Sequence, residues 1–295
     1  MASEIKSVLA TIPGLVEEIQ GAGTGFSLAS NLFNAVGVKV QAINAGIGQL
    51  PYYPQPAVKT VQTETTAVSV SAITIGSRQM TPASYWSATN VSLLALQAGN
   101  GIPAHLKQIM INDVAATVDS VIADVATRTN FSSLTPIANV TTGEAFRSGV
   151  KALRQTGVPG KIKAWLTEYQ IDAICSSEKT FFNPAFNDRI VSNGYAGVTS
   201  LAGVEVYKIP SDWAPTDTTS GFKNGLMWID THGLGLTYHP NVQNVNGDIV
   251  DLGLMHLDFA KPYIGAEDMG VGVMIAVSEV SSYGGVLLLS DNASE

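Results

Sequence analysis

The spacing of apolar positions changes along the first half of the chain from a period of two to a period of about 3.6. The stretch Val61–Met80 is rich in Thr, Ser, Val and Ile, which favour extended strands. Its alternation places Val68 and Val70 on one face. It resumes at Ile73 and Ile75 with the opposite parity, although a strand on a single core keeps one parity. This stretch therefore predicts two different covering surfaces, or a β-bulge between its halves.

A long amphipathic helix is predicted from Pro103 onwards. Proline fits the first turn of a helix, where amide groups have no partner within the helix. The aspartates of this segment, Asp113, Asp119 and Asp124, are expected to lie mainly off the apolar stripe. The stripe itself consists of Leu106, Met110, Val114, Val118, Val121, Ile122 and Val125.

Two shorter helices and several strands complete the predicted elements. The second helix is expected to open at Thr141, with Glu144 closing a capping box, and to stop at Gly157. The third helix is expected to have Thr167 as its cap and Gln170 at its third position. Strands are predicted at KIKAWL, GVEVYKIP, GLMWIDT, LGLTYH, DLGLMHLDFAKPY and GVGVMIAVSEV, followed by a polar tail. Because strands and helices do not alternate as a repeat, the predicted fold class is α+β.

Residues 1–50 are predicted to form an extended, poorly self-packed arm, since Gly and Pro recur in GAGTGF and NAGIGQLPYYPQP. The GAGTG segment lacks the Lys and Ser/Thr of a phosphate-binding loop, so a flexible hinge is expected there. Tyr52 and Tyr53 lie among prolines, which suggests that the chain docks on another surface at this point.

Composition adds a second indication of extensive contacts. Of the 295 residues, 45% are hydrophobic and only 14% are charged, whereas about 25% charged is usual. No unbroken apolar run of ~20 residues and no secretory signal occur, so a membrane span is not predicted. The composition fits either a subunit that hides surface against partners or a large core rich in small apolar residues. With a net charge of −8 and no evident Lys/Arg cluster, reading of nucleic acid is disfavoured.

Candidate chemistry is sparse. Cys175 is the single cysteine, which excludes an intramolecular disulfide, and it is expected to be a buried small hydrophobe. The segment NVNGDIVD lacks the Glu that completes a calcium loop, and the adjacent Glu267 and Asp268 are expected to be solvated. No metal-ligand spacing relates the four histidines, which are His105, His232, His239 and His256. No catalytic residue, metal or cofactor is therefore predicted.

Taken in order, the elements resemble the major capsid proteins of tailed bacteriophages, which have the Hong Kong 97-type fold. The resemblance rests on the order of HLKQIMINDVAATVDSVIADVAT, GEAFRSGVKALRQTG, KAWLTEYQIDAI, GVTSLAGVEVYKIPSDW, NGLMWIDTHGLGLTYHP and YIGAEDMGVGVMIAV. It implies an N-terminal arm (1–50), an extended β-loop (51–84), a peripheral domain with a spine helix (85–144), an axial domain (145–238), and a return to the peripheral domain with a C-terminal tail (239–295).

The resemblance also implies a function. It is that of a non-enzymatic virion protein, assembled in the host cytoplasm, which forms the hexamers and pentamers of an icosahedral shell around phage double-stranded DNA. Implied partners are other copies, a portal, and separate scaffolding and decoration proteins where these occur; no sequence-specific DNA contact and no membrane are implied. The only lysine near the extended segment is Lys59, and no covalent crosslink is expected. The residues predicted to contact other subunits are Tyr52, Tyr53, Val68, Val70, Ile73, Ile75 and Trp213.

Two alternatives remain open. An encapsulin-like compartment would use the same fold around protein cargo instead of a genome. An α+β enzyme would instead have a deep pocket, expected around His232, His239 and Asp248, lined by groups with shifted pKa values.

Overall fold

The computed structural model describes residues 32–42, 47–54, 76–92, 102–177, 200–238, 242–243, 249–250, 254–261 and 266–290. The helices are α1 (Leu32–Ala35), α2 (Ile102–Ala123), α3 (Gly143–Gln155) and α4 (Glu168–Ser177), and a 3₁₀ turn spans Ser211–Trp213. The strands are β1 (Val38–Gln41), β2 (Gly48–Tyr52), β3 (Gly76–Met80), β4 (Ala83–Ser92), β5 (Ile162–Thr167), β6 (Ser200–Leu201), β7 (Val204–Ile209), β8 (Asn224–Ile229), β9 (Leu234–Tyr238), β10 (Val242–Gln243), β11 (Ile249–Val250), β12 (Leu254–Lys261), β13 (Ala266–Glu279) and β14 (Gly285–Leu289).

The first large sheet, sheet I, is built around β13. One edge of β13 pairs with β4, and the other pairs with β12 and then with β9, all antiparallel. Strand β1 extends the sheet by pairing parallel with β9. Tyr238 ends β9 opposite Ile275, and Leu254 opens β12 opposite Val273, so the two strands lie nearly end to end along β13. Helix α2 packs across this sheet.

The second large sheet, sheet II, has the strand order β14-β8-β5-β7-β6. Strands β5 and β7 are parallel and are connected through α4, whereas the other pairs are antiparallel. The expectation of a polar tail after β13 is wrong, because all five residues of β14 are buried in this sheet. The run GVLLL is short and shows no alternation, as is typical of a strand that is covered on both faces.

Two hydrophobic cores lie on opposite faces of sheet II. The first core joins α1, α2 and sheet I to one face, with Trp165 and Trp228 fully buried. The second core lies between the other face and the helices α3 and α4, with Phe146 and Leu153 at its centre. Sheet II is therefore covered on both faces.

The amphipathic stripe of α2 is confirmed at four positions, whereas Val121 is only half-buried and the buried Val125 lies beyond the end of the helix. Met110, Val114, Val118 and Ile122 are all buried. Asp119 departs from the expectation, because it is only 4% exposed although a charged side chain was expected mainly off the stripe. It lies one position beyond Val118, at the edge of the buried face.

Helix caps show one confirmed prediction and one correction. At α4 the capping box is present, since Thr167 Oγ1 accepts from the Gln170 amide and Gln170 Oε1 accepts from the Thr167 amide, both at 3.2 Å. At α3 the cap is Thr142 and not Thr141, because Thr142 Oγ1 accepts from the Ala145 amide at 3.2 Å. Glu144 then occupies the second helical position, so the predicted capping box is wrong.

This correction predicts a difference between neighbouring threonines. Thr142→Ala is expected to lower the free energy of unfolding by about 1 kcal/mol, because the Ala145 amide loses its acceptor. Thr141→Ala, the matched control, is expected to have a much smaller effect. Urea unfolding of both variants measures this, and equal effects would contradict the assignment of the cap.

The prediction of a poorly self-packed N-terminal arm is wrong for the part of residues 1–50 that the structure describes as α1 and β1. Leu32 and Ala35 are fully buried in the first core. Lys163 Nζ donates to the Ala35 carbonyl oxygen at 3.0 Å, which satisfies the end of this short helix. The five-residue pattern LFNAV was too short to reveal a helix by periodicity.

Candidate subunit interface

Three connections join the two sheets: one runs from β4 to β5 through α2 and α3, and the other two are short and lie side by side. Residues 230–233 join β8 to β9, and residues 280–284 join β13 to β14. The amide of Val280 donates to the Gly233 carbonyl, and that of Ile229 donates to the Gly284 carbonyl, both at 2.9 Å. Ser281 Oγ donates to the His232 carbonyl at 2.7 Å. We refer to these two hydrogen-bonded connections as the junction.

Against the junction lies the base of the predicted extended β-loop. Strands β2 and β3 form an antiparallel pair from Gly48↔Met80 to Tyr52↔Gly76. Leu50 is fully buried, and a Cβ on Gly235 would lie 2.9 Å from its Cδ2 atom. We call β2, β3, Tyr53 and Pro54 the loop root; the residues between its two limbs, 55–75, lie outside the described part of the chain.

Arg78 attaches the β3 limb of the loop root to the end of β13. Its Nη1 atom lies 2.5 Å from Ser278 Oγ and 2.5 Å from Glu279 Oε1. Ser278 Oγ also donates to Glu279 Oε2 at 2.8 Å, so the buried carboxylate has partners on both oxygens. The Arg78 guanidinium carbon lies 5.5 Å from the centre of the Tyr52 ring, a cation–π contact.

Aromatic side chains attach the β2 limb to the junction. The Tyr53 and His232 rings are 5.0 Å apart, and the His232 and Tyr283 rings are 6.3 Å apart. Tyr283 donates its hydroxyl proton to the Pro54 carbonyl oxygen at 2.8 Å. Burial lowers the pKa of His232, and nearby Asp230 opposes this, so the neutral imidazole is favoured between the tyrosines.

The loop that carries Trp213 is attached to the segment after α2 by a bidentate ion pair. Arg128 donates from Nε to Asp217 Oδ1 at 2.6 Å and from Nη2 to Oδ2 at 2.9 Å. The amide and hydroxyl of Ser220 also donate to Asp217 Oδ2. These hydrogen bonds hold the pKa of the Asp217 carboxyl well below its usual range, although burial acts in the opposite direction.

Several exposed apolar side chains were not predicted as contacts. Ile109 on α2 is 54% exposed and Trp86 on β4 is 42% exposed. Trp86 is paired with Gly272, where an added Cβ would lie 2.4 Å from the indole ring, so the ring lies over bare backbone. The sequence alone could not reveal this contact, because it depends on the register between β4 and β13. Ile47 and Tyr169 are the other large exposed apolar residues in the described part of the chain.

A basic stripe on α3 was also overlooked. Arg147, Lys151 and Arg154 are exposed at helical spacing and line an open groove of about 660 Å³ next to Ala202. The expectation that Lys and Arg do not cluster is wrong here, because apolar residues separate these cations along the sequence.

Three of the seven predicted contact residues lie in the described part of the chain, and their contact with other subunits stays a prediction. Tyr52 and Tyr53 are half-buried at the loop root, where their own chain already contacts them. Trp213 is half-buried in the 3₁₀ turn. Val68, Val70, Ile73 and Ile75 lie outside the described residues, so their role stays a prediction.

The candidate chemistry of the sequence falls only partly within the described residues. They contain no group of three or more His, Cys, Asp or Glu placed to hold a metal ion. Cys175 is buried as expected, and burial, with the charge of Asp172, raises its pKa to about 11. His239 and Asp248, proposed for an enzyme pocket, lie outside the described part of the chain. None of the helices described here is long and apolar enough to cross a bilayer.

Comparison with known proteins identifies the architecture. No protein-family model and no curated protein matches the sequence. Among solved structures, the mature capsid of bacteriophage PhiM1 is similar with a TM-score of 0.58 and 11% identity, over 91% of this chain and 89% of that one. The capsid of cyanophage P-SCSP1u gives 0.59 and 12%, over 91% and 90%. The holo-SrpI encapsulin complex of Synechococcus elongatus gives 0.57 and 13%, over 90% and 88%.

These likenesses span nearly the whole length of both partners in each comparison. At such low identity they establish the fold and not the activity. The chain has the α+β, Hong Kong 97-type capsid fold, and this prediction is confirmed.

Proposed function

We propose that this chain is the major capsid protein of a tailed bacteriophage, which assembles into the hexamers and pentamers of an icosahedral shell around double-stranded DNA. The single observation that carries this proposal is the likeness over about nine-tenths of the chain to phage capsid subunits. The role is structural and not enzymatic, and the location is the virion after assembly in the host cytoplasm. A portal, and scaffolding and decoration proteins where they occur, would be further partners.

The surface of the described residues supports a subunit that covers itself with other copies. Ile109 and Trp86 are large, apolar and exposed on different elements, which is typical of interface anchors. With 14% charged residues, the chain also matches the depletion of charge at interface cores. The net charge of −8 suits a container whose wall does not bind the packaged polyanion.

The loop root supports the same proposal. It anchors residues 55–75 at both ends through Pro54 and Gly76. We propose that Val68 and Val70 are covered by a different surface from Ile73 and Ile75, and that at least one of these surfaces belongs to another copy. We also propose a division of the chain into two regions. The peripheral region would contain α2 and most of sheet I, and the axial region would contain most of sheet II.

The proposal predicts large assemblies from the expressed protein. Purified full-length chain, alone or with a scaffolding protein, is expected to form rings or shells far larger than the 30.9 kDa subunit. Negative-stain microscopy and light scattering measure this. A monomer at every concentration, with and without a scaffolding protein, would overturn the proposal.

A substitution that places a charge at Ile109 tests whether this exposed side chain is needed for assembly. Ile109→Asp is expected to reduce particle yield at least tenfold while leaving the circular dichroism spectrum unchanged, because Ile109 is exposed in the single chain. Ser132→Asp adds the same charge at another exposed position and is expected to assemble normally.

An encapsulin-like compartment is the second candidate, favoured by the likeness to the Synechococcus encapsulin complex. Sequencing the nucleic acid in purified native particles distinguishes the two. A packaged genome supports the phage capsid, whereas protein cargo without a genome supports the compartment.

A further inference from the structure

We infer that the loop root and the junction form one mechanical unit, so that the direction of the loop root is coupled to the relative orientation of sheets I and II. The junction is the first part of this unit. Two of the three connections between the sheets run through it, and they are hydrogen-bonded to each other at Val280–Gly233 and Ile229–Gly284. A rotation of one sheet against the other must therefore change the geometry of residues 230–233 and 280–284.

The loop root is attached to the junction and to the end of β13 through both of its limbs. Its two limbs are held at different points: Arg78 bonds to Ser278 and Glu279, directly before the junction, and Pro54 accepts from Tyr283 within it. Residues more than 200 positions apart along the chain are thus tied at both limbs. Two separated attachments transmit a rotation, whereas one attachment would act as a swivel.

Release of either limb from its attachment is energetically unfavourable. The side chain of Glu279 is 7% exposed, and Arg78 neutralises it. If the β3 limb moved away alone, a buried carboxylate would lose its cationic partner, which is strongly unfavourable. On the other limb, displacement of Tyr53 and Pro54 would remove the ring next to His232 and the carbonyl oxygen that accepts from the Tyr283 hydroxyl. Leu50 lies between these attachments against Gly235 and restrains the hairpin further.

The consequence is reciprocal, as coupling between two sites must be. A change in the angle between the sheets redirects the loop root, and a force on the chain beyond the loop root reaches the sheets. That this serves communication between shell subunits rests on the proposed function. The coupling within one chain does not rest on the proposed function, and it can be tested in any purified state of the protein.

Hydrogen exchange tests the coupling directly. In full-length Arg78→Gln, the amides of Gly233 and Val280 are expected to exchange at least tenfold faster than in the unchanged protein, together with those of β2 and β3. Arg154→Gln, which changes an exposed arginine on α3, is the matched control. It is expected to leave the exchange rates of Gly233, Val280, β2 and β3 unchanged. Faster exchange confined to β2 and β3 would overturn the inference, because Arg78 would then stabilise only its own hairpin.

A double-mutant cycle provides a second, independent measurement. Arg78 and Tyr283 bond to different partners, so unrelated effects on stability should combine by simple multiplication of unfolding constants. The inference predicts that the unfolding constant of Arg78→Gln/Tyr283→Phe departs at least threefold from that product. Tyr207→Phe removes a hydroxyl bonded to Glu205 elsewhere and is expected to combine with Arg78→Gln without such a departure. Simple multiplication in both pairs would overturn the coupling, even if the protein assembled into shells.

Discussion

Gly284→Ala is expected to destabilise the folded chain by about 3 kcal/mol and to lower the yield of soluble protein sharply. A Cβ at this position would lie 2.0 Å from the His232 carbonyl oxygen and 2.4 Å from its carbon. Both are backbone atoms, so no side-chain rotation relieves the clash. The junction cannot yield locally, because Gly284 is hydrogen-bonded to Ile229 and Ser281. Denaturant unfolding followed by tryptophan fluorescence measures the effect.

Gly157→Ala is the matched control for this prediction. Gly157 has a φ of +73° after α3, and its added methyl group would meet nothing within 4 Å. The cost there is the strain of the left-handed backbone alone, about 1 kcal/mol. If the two alanine variants were equally stable, the close packing at Gly284 would be disproved.

Asp217→Asn is expected to lower the free energy of unfolding by about 2–3 kcal/mol at neutral pH. The carboxylate is 1% exposed and binds Arg128 through both oxygens, and an amide cannot accept from the guanidinium at both positions. The loop that carries Trp213 is expected to detach from the end of the long helix.

The pH dependence follows from the lowered pKa of Asp217. Its folded-state pKa lies below the unfolded value of about 3.9, so the stabilisation is present above that value and is lost as pH falls below it. The unchanged protein should therefore lose stability below pH ~4 more steeply than Asp217→Asn. Asp212→Asn, an exposed neighbour, should retain the steep dependence. Parallel curves for Asp217→Asn and the unchanged protein would exclude the carboxylate as the cause.

Elements with strong local signals were predictable from the sequence. The stripe Met110, Val114, Val118 and Ile122 repeats with the period of a helix. Its burial can therefore be predicted without knowing which surface it packs against. Thr167 and Gln170 form the predicted capping box because all its donors and acceptors lie within four residues. At α3 the predicted cap was one residue too early, because Thr141 and Thr142 are both suitable cap residues and the local pattern does not distinguish them.

Features that depend on distant parts of the chain were not predictable. Gln170 also donates to the Leu288 carbonyl oxygen at 2.9 Å, a contact that exists only because β14 joins sheet II. Arg78 and Glu279 likewise meet through the pairing of strands far apart in sequence. Tyr52 and Tyr53 were predicted as contact residues because they lie among prolines in an irregular segment. The sequence could not reveal that their own chain already supplies Arg78 and His232 as neighbours.

The end-to-end arrangement of β9 and β12 along β13 has a practical consequence for protein engineering. Tyr238 pairs with Ile275 and Leu254 pairs with Val273, and these two partners are only two residues apart. Strands β9 and β12 therefore occupy nearly continuous positions along β13. A foreign peptide spliced into residues 239–253 would leave the register of β13 unchanged. If the chain builds a shell, every subunit would then carry one copy of that peptide at the same point of sheet I.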